Sequence, residues 1–169
     1  MSIAGGVGNA FLEGRKVDCE AIQIFTKSSR QWASKPLDKD EIAQFHANRK
    51  ETGIESVVAH DSYLLNLGSP DPALRKRSVG AFIDEMERCE VLGVSNLIAH
   101  PGAHVGAGEV EGIKTIAKSL DEVHKACPGF KVKVTLEITA GQGSNLGYSF
   151  EQIGDMIDAT KECDRLRVC

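Results

Sequence analysis

Two histidines and a glutamate occupy equivalent places along the chain. The runs ESVVAH, VSNLIAH and KVKVTLE each lead from apolar, β-branched residues into one side chain able to bind a metal: His60, His100 and Glu137. Two imidazoles and a carboxylate make a catalytic zinc set, because three protein ligands leave one coordination position open and zinc there lowers the pKa of water to about 7. A single histidine at a strand end is most often only hydrogen-bonded; three donors in one phase of a repeat point to a shared site. Asp61, directly after His60, either orients that imidazole or begins the turn. His104 follows His100 by four residues, but PGAHVGAG is a turn-forming loop with no helical face to align the pair, so His104 is left outside the ligand set. His46 and His124 fall inside helical segments and are read as exposed or core-packed.

The loops beyond these strand ends carry a second kind of chemistry. Residues 26–32 (TKSSRQW) bring Lys27 and Arg30, and residues 60–68 (HDSYLLNLG) bring Tyr63, Leu64 and Leu65 to where solvent would be expected. Basic residues there could hold phosphates, and an aromatic ring beside a leucine could wedge into a nucleic-acid groove. Ordinary packing against helix tops is the alternative for each residue taken singly. The segment TAGQGSNLG after Glu137 is glycine- and amide-rich and able to approach a backbone closely.

Elements of two kinds must position these groups. Apolar runs at 20–25, 55–59, 94–99, 131–136 and 165–169 read as strands, and segments at 37–51, 71–92, 109–126 and 149–162 have helical spacing. Pro36 and Asp38, Pro72, and the cap-like SFEQ mark helix starts, and Pro128 stops the third helix. A glycine-rich turn (AGGVG) and a helix come before the first strand. Alternation of this kind specifies a parallel sheet with helical crossovers. Strand starts recur at about 36 residues, the size of a βα unit in an eightfold barrel. A complete barrel of such units needs about 290 residues, and length alone would suit an open five-stranded flavodoxin-like sheet. No GxGxxG or P-loop follows any strand, which removes support from nucleotide-binding versions of the open sheet.

Composition sets the outer bounds. At 41% hydrophobic and 26% charged residues, the 169-residue chain can bury the core of one globular domain. No apolar stretch reaches the roughly 18 residues of a membrane span, and the start has no basic segment followed by an apolar run; a cytoplasmic protein with no membrane partner is expected. Five cysteines without a CxxC pair signal neither a disulfide framework nor a zinc knuckle. A net charge of −4 argues against a uniformly basic coat, although one face can still be positive. No obligate protein partner is evident.

SIAGG, FTKSSRQW, HDSYLLNLGSP, AFIDEMERCEVLG, HPGAH and LEITAGQGSNLG stand in an order and spacing that resemble the endonuclease IV family, the second class of apurinic/apyrimidinic endonucleases. The resemblance spans nearly the whole chain. It implies an α/β fold, a TIM (β/α)8 barrel that binds three zinc ions and cleaves double-stranded DNA on the 5′ side of an abasic site, leaving a 3′-hydroxyl. It implies that His60 and His100 are ligands of one zinc and that Glu137, a catalytic residue, bridges this ion to a second. It also implies that Arg30, Tyr63 and Leu64 bind DNA in the minor groove and fill the gap left by the flipped-out nucleotide.

Family members begin with a strand ending in Gly-Ala-His before SIAGG, and they continue past RVC into Asp-Thr-Cys-His and further ligands. The expectation is a single partial TIM-barrel domain over residues 1–169, truncated at both ends, with about five parallel strands and at most one well-ligated zinc site. Two other functions fit a barrel rim of this kind. One is a metal-dependent sugar isomerase or epimerase, to which the groove-filling loops are less suited; the other is a non-catalytic remnant.

Overall fold

Helix starts follow from cap chemistry. In the computed structural model, which describes residues 1–169, Asp38 opens α2 (Lys39–Thr52) through a reciprocal capping box with Glu41. Asp71 accepts from the amides of Ala73 and Leu74 to open α3 (Pro72–Leu92), with proline in the first turn, where its missing N–H costs nothing. Ser149 caps α5 (Phe150–Ala159) by accepting from Gln152 N, whereas the Gln152 side chain turns away and accepts from Gly147 N. α2 and α3 both stop on left-handed glycines, Gly53 and Gly93, a conformation that costs any other residue strain. The remaining helices are α1 (Asn9–Lys16) and α4 (Glu109–Ala126).

Between the helices run β1 (Ala21–Phe25), β2 (Ser56–His60), β3 (Asn96–Ala99), β4 (Lys133–Leu136) and β5 (Leu166–Val168). The strands pair in parallel in the order β1-β2-β3-β4-β5. A flavodoxin-like sheet has the order 2-1-3-4-5, because its crossovers reverse direction at a switch point. Here each crossover advances one strand the same way, so successive helices pack side by side on one face. This is the architecture of a partial TIM barrel.

Strand alternation divides the sheet between a helix-facing layer and an inner face. Ile22, Ile24, Val57, Ala59, Leu97, Ala99, Val134, Leu136 and Leu166 are buried with Phe11, Phe45, Phe82, Met86, Ile116 and Leu120 from the helices. Each fully buried side chain of this size contributes roughly 1.5–3 kcal/mol, so this layer is the main source of stability. The inner row contains His60, Ile98, Thr135 and Arg167, in register across β2 to β5.

The observed elements differ from the sequence reading at their margins. Expected strands began one or two residues early, because residues that enter a strand bond to turns instead of a neighbouring strand: Val94 N donates to Cys89 O, while Lys131 N and Val132 N donate to the Glu90 carboxylate. β2 runs one residue further than expected and includes His60. α5 ends at Ala159 because Thr160 is extended, and a 3-10 turn (Cys163–Arg165) takes Arg165 out of the expected strand. The Arg165 guanidinium is instead buried against the end of α4, donating to the carbonyls of His124 and Cys127 at 3.0 and 2.8 Å.

His124 is buried with neither ring nitrogen hydrogen-bonded in the protein. Burial, helped by Arg165, lowers its pKa, so the folded state disfavours the imidazolium. As pH falls through about 6.5, the unfolded chain binds a proton that the folded chain does not, and stability is lost. His124→Phe should therefore shrink the drop in urea midpoint between about pH 7.5 and pH 5.5 relative to wild type, as read by chemical denaturation.

Candidate metal centre and substrate-facing rim

The site is built where β2, β3 and β4 end in step. His60 is the last residue of β2, His100 follows β3, and Glu137 follows β4, its amide held by the Ala99 carbonyl at 2.9 Å. Position on the inner face aims all three side chains at one point. His60 Nε2 lies 2.9 Å and His100 Nε2 lies 3.3 Å from the same Glu137 oxygen, Oε2. One ligand atom from each of the three residues falls within 4.8 Å of the others. His60 is buried, whereas His100 and Glu137 are partly exposed, so the centre opens toward solvent on one side.

Asp61 settles the alternatives left open for it. His60 Nδ1 lies 2.9 Å from the Asp61 carbonyl and 3.2 Å from its carboxylate, while the Asp61 amide donates to Ile98 O. Asp61 thus holds the ring with Nε2 facing Glu137, as second partners of metal-binding histidines do. Burial alone would lower the pKa of His60, but its hydrogen bonds to Asp61 and Glu137 prevail and raise it to about 9. In the metal-free protein a proton on His60 therefore offsets the neighbouring carboxylates. The donor set suits a divalent cation in place of that proton: two imidazole nitrogens and a carboxylate oxygen converge, with one ring oriented from behind.

The expected substrate-facing residues divide. Tyr63 is 67% exposed on the same rim, its ring centroid 5.4 Å from that of His60 and 6.1 Å from that of His100. Leu64 is half-buried beside it, and Arg30 is exposed on the loop after β1. Lys27 is a correction: the sequence suggested a phosphate-holding group, yet this lysine is turned inward and its ammonium lies 2.7 Å from Asp84. Leu65 packs against the core. His104 lies apart from the three donors, its Nδ1 accepting from the amides of Gly106 and Gly108. His46 is exposed.

A cavity of about 340 Å³ adjoins His100 and Tyr63, with Asn66, Ala103, Thr139 and Asn145 in its wall. Asn66 organises that wall: its side chain accepts from Gly68 N and Ala103 N and donates to Ala103 O, tying the loop after β2 to the loop after β3. Sequence reasoning missed this residue. The only local signal was an asparagine among loop apolars in HDSYLLNLG.

With this geometry in hand, comparison with known proteins is decisive for the family. Residues 11–169 match the family model of the xylose isomerase-like TIM barrel. The chain belongs to that family. Over all 169 residues it is 44% identical to the probable endonuclease 4 of Chloroflexus aggregans, covering 59% of that protein. Its fold superposes on the crystal structure of endonuclease IV from Thermus thermophilus with a TM-score of 0.83 at 32% identity, covering all of this chain and 60% of that one. The D-psicose 3-epimerase of Clostridium cellulolyticum gives a TM-score of 0.75 at 19% identity, covering 96% of this chain and 56% of the epimerase. That likeness shows the shared barrel alone. The chain thus spans about three-fifths of the length of the endonuclease relatives it matches.

The donor geometry makes a direct prediction about metal binding. Zinc titrated against a chromogenic chelator should bind this chain at one site, and His60→Ala, His100→Ala and Glu137→Ala should each weaken it by more than about tenfold. Asp61→Asn should weaken it by roughly 10–100-fold through loss of ring orientation.

Proposed function

We propose that this chain acts in DNA repair as part of a zinc-dependent endonuclease that hydrolyses the phosphodiester 5′ to an abasic site in duplex DNA. The observation that carries the reading is the presence on one rim of a three-donor metal set and an exposed tyrosine packed beside it, in a chain 44% identical to a probable endonuclease 4. Residues 1–169 form a single partial-barrel domain in this reading, and the cytoplasm is its place of action.

In this mechanism His60, His100 and Glu137 hold zinc, with Asp61 fixing the His60 ring. The chemistry supplied by zinc held there would be Lewis-acid polarisation of water and of a phosphate oxygen. Both imidazoles lie beside Oε2 of Glu137, which would make this carboxylate the third ligand and gives it its catalytic place. Hydrolysis forms a bond from water oxygen to phosphorus and breaks the P–O3′ bond, leaving a 3′-hydroxyl. Arg30, Tyr63 and Leu64 bind the minor groove: the guanidinium pairs with backbone phosphate, and the ring and the leucine fill the space of the extruded nucleotide, recovering part of its unstacking cost. A long polyanion suits this open, aromatic rim better than a small sugar, which needs an enclosing pocket.

Tyr63→Ala should weaken binding to a duplex bearing one abasic site by roughly tenfold in fluorescence anisotropy, with zinc content unchanged. Loss of zinc instead would make Tyr63 a support of the metal centre. The purified chain, saturated with zinc, should cleave that duplex far more slowly than a full-length relative, because three donors hold one ion and the phosphate loses a charge clamp worth several kcal/mol. Cleavage at a comparable rate, abolished by His100→Ala, would refute the need for further ligands. Absence of both zinc and DNA binding would instead favour the non-catalytic remnant.

A further inference from the structure

Beneath the rim lies a second buried charge cluster, separate from the metal donors. The Lys27 ammonium lies 2.7 Å from Asp84 and 3.4 Å from Glu85, and it donates to the carbonyls of Ala81 and Trp32 at 3.4 and 3.5 Å. Both Lys27 and Glu85 have side chains only 2% exposed. Glu85 in turn accepts from the Ser62 amide, with its oxygens at 3.2 and 3.4 Å. The Ser62 hydroxyl then donates to Ser29 O at 2.8 Å and accepts from Leu64 N at 3.3 Å. An unbroken set of bonds therefore runs from α3 into the loop after β1 and the loop after β2. Arg77, also on α3, adds a further hold by stacking over Trp32 at 4.2 Å.

Stability does not account for this arrangement. Burying a lysine and a glutamate costs several kcal/mol per ion before their attraction offsets it, and an apolar pair of equal volume is often as stable or more so. Phe82 and Met86 show that the same helix fills neighbouring buried positions with apolar groups. What polar groups supply and apolar packing cannot is direction: Glu85 fixes where the Ser62 amide points, and Lys27 fixes the carbonyl at the far end of residues 26–32. Those two loops carry Arg30, Tyr63 and Leu64.

We propose that Lys27 and Glu85 are positioning residues which, through Ser62 and Trp32, lock the loops after β1 and β2 into one preorganised surface for duplex DNA. The inference deepens the DNA-repair reading and rests on it for the identity of the ligand. Preorganisation of this kind raises affinity by removing the ordering cost of binding. The acceptor at position 85 matters for this role, and its charge does not. Glu85→Gln removes that charge yet keeps an amide oxygen for Ser62 N, while Lys27 retains Asp84 at 2.7 Å and the Trp32 carbonyl at 3.5 Å.

The test uses this whole chain loaded with zinc and compares wild type, Glu85→Leu, Ser62→Ala and the conservative Glu85→Gln variant. Hydrogen exchange is read at residues 26–32 and 60–66, affinity for an abasic duplex by anisotropy, and zinc retention by chelator competition. Glu85→Leu should speed exchange in both loops together and weaken duplex binding by roughly tenfold, with zinc affinity within about twofold of wild type. Glu85→Gln should keep both readouts within about threefold of wild type. Unchanged exchange in Glu85→Leu, or a Glu85→Gln variant as impaired as Glu85→Leu, overturns the proposal. If Glu85→Leu fails to fold, Ser62→Ala decides, since losing the hydroxyl that joins Ser29 O and Leu64 N must still loosen both loops. A wild-type chain that does not prefer the abasic duplex refutes the DNA-repair reading and with it the ligand named here. Joint loosening of the two loops would then still support the clamp, and loosening of one alone would overturn it.

Discussion

The in-step parallel register of β2, β3 and β4 is the constraint on which the rest of the rim depends. His60 stands opposite Ile98, and Ile98 stands opposite Thr135, so His100 and Glu137, the next inward residues after β3 and β4, share a level one inward step above His60. A slip of one residue in any pair would turn a donor toward the helices and place an apolar residue at the centre. The ladder holds because the opposite faces of the same strands are buried under helices, where a slip would expose Leu97, Val134 or Leu136. Core packing on one side of the sheet thereby sets the geometry of chemistry on the other.

Charge at the rim is organised in two layers. The upper layer joins His60, Asp61, His100 and Glu137; the lower joins Lys27, Asp84, Glu85 and Arg88. They meet at the loop after β2, where Asp61 supports a metal donor and Ser62, the next residue, receives the lower cluster. Burial raises Glu85 to about 7 even against the opposing attraction of Lys27, a measure of how little water reaches that level. A dry environment strengthens each hydrogen bond made there and makes each unpaired group costly, so the loops have few alternative positions. Structures that superpose on this chain at 32% and 19% identity share its fold, and a shared fold does not by itself fix a shared chemistry.

Much of this was legible in the sequence because it is local. β-branched runs alternating with capped helical segments specified a parallel α/β fold, and the repeat of about 36 residues placed His60, His100 and Glu137 in one phase before any contact was known. Asp38, Asp71 and Ser149 announced helix starts for the same reason: a cap acts on amides two or three residues away.

Tertiary structure decided what depends on distant partners. The same alternation is compatible with a 2-1-3-4-5 sheet and with the observed sequential one, since strand order is set by how whole helices pack and leaves no trace in local periodicity. Lys27 and Arg30 look alike as basic loop residues, yet Asp84 and Glu85, more than fifty positions away, draw one inward and leave the other in solvent. Asp61 could have begun a turn or oriented a histidine until the Ile98 carbonyl captured its amide. Arg165 left its expected strand because two carbonyls at the end of α4 needed a donor. A residue's type limits the bonds it can make, but which bond forms depends on groups that only the folded chain brings within reach.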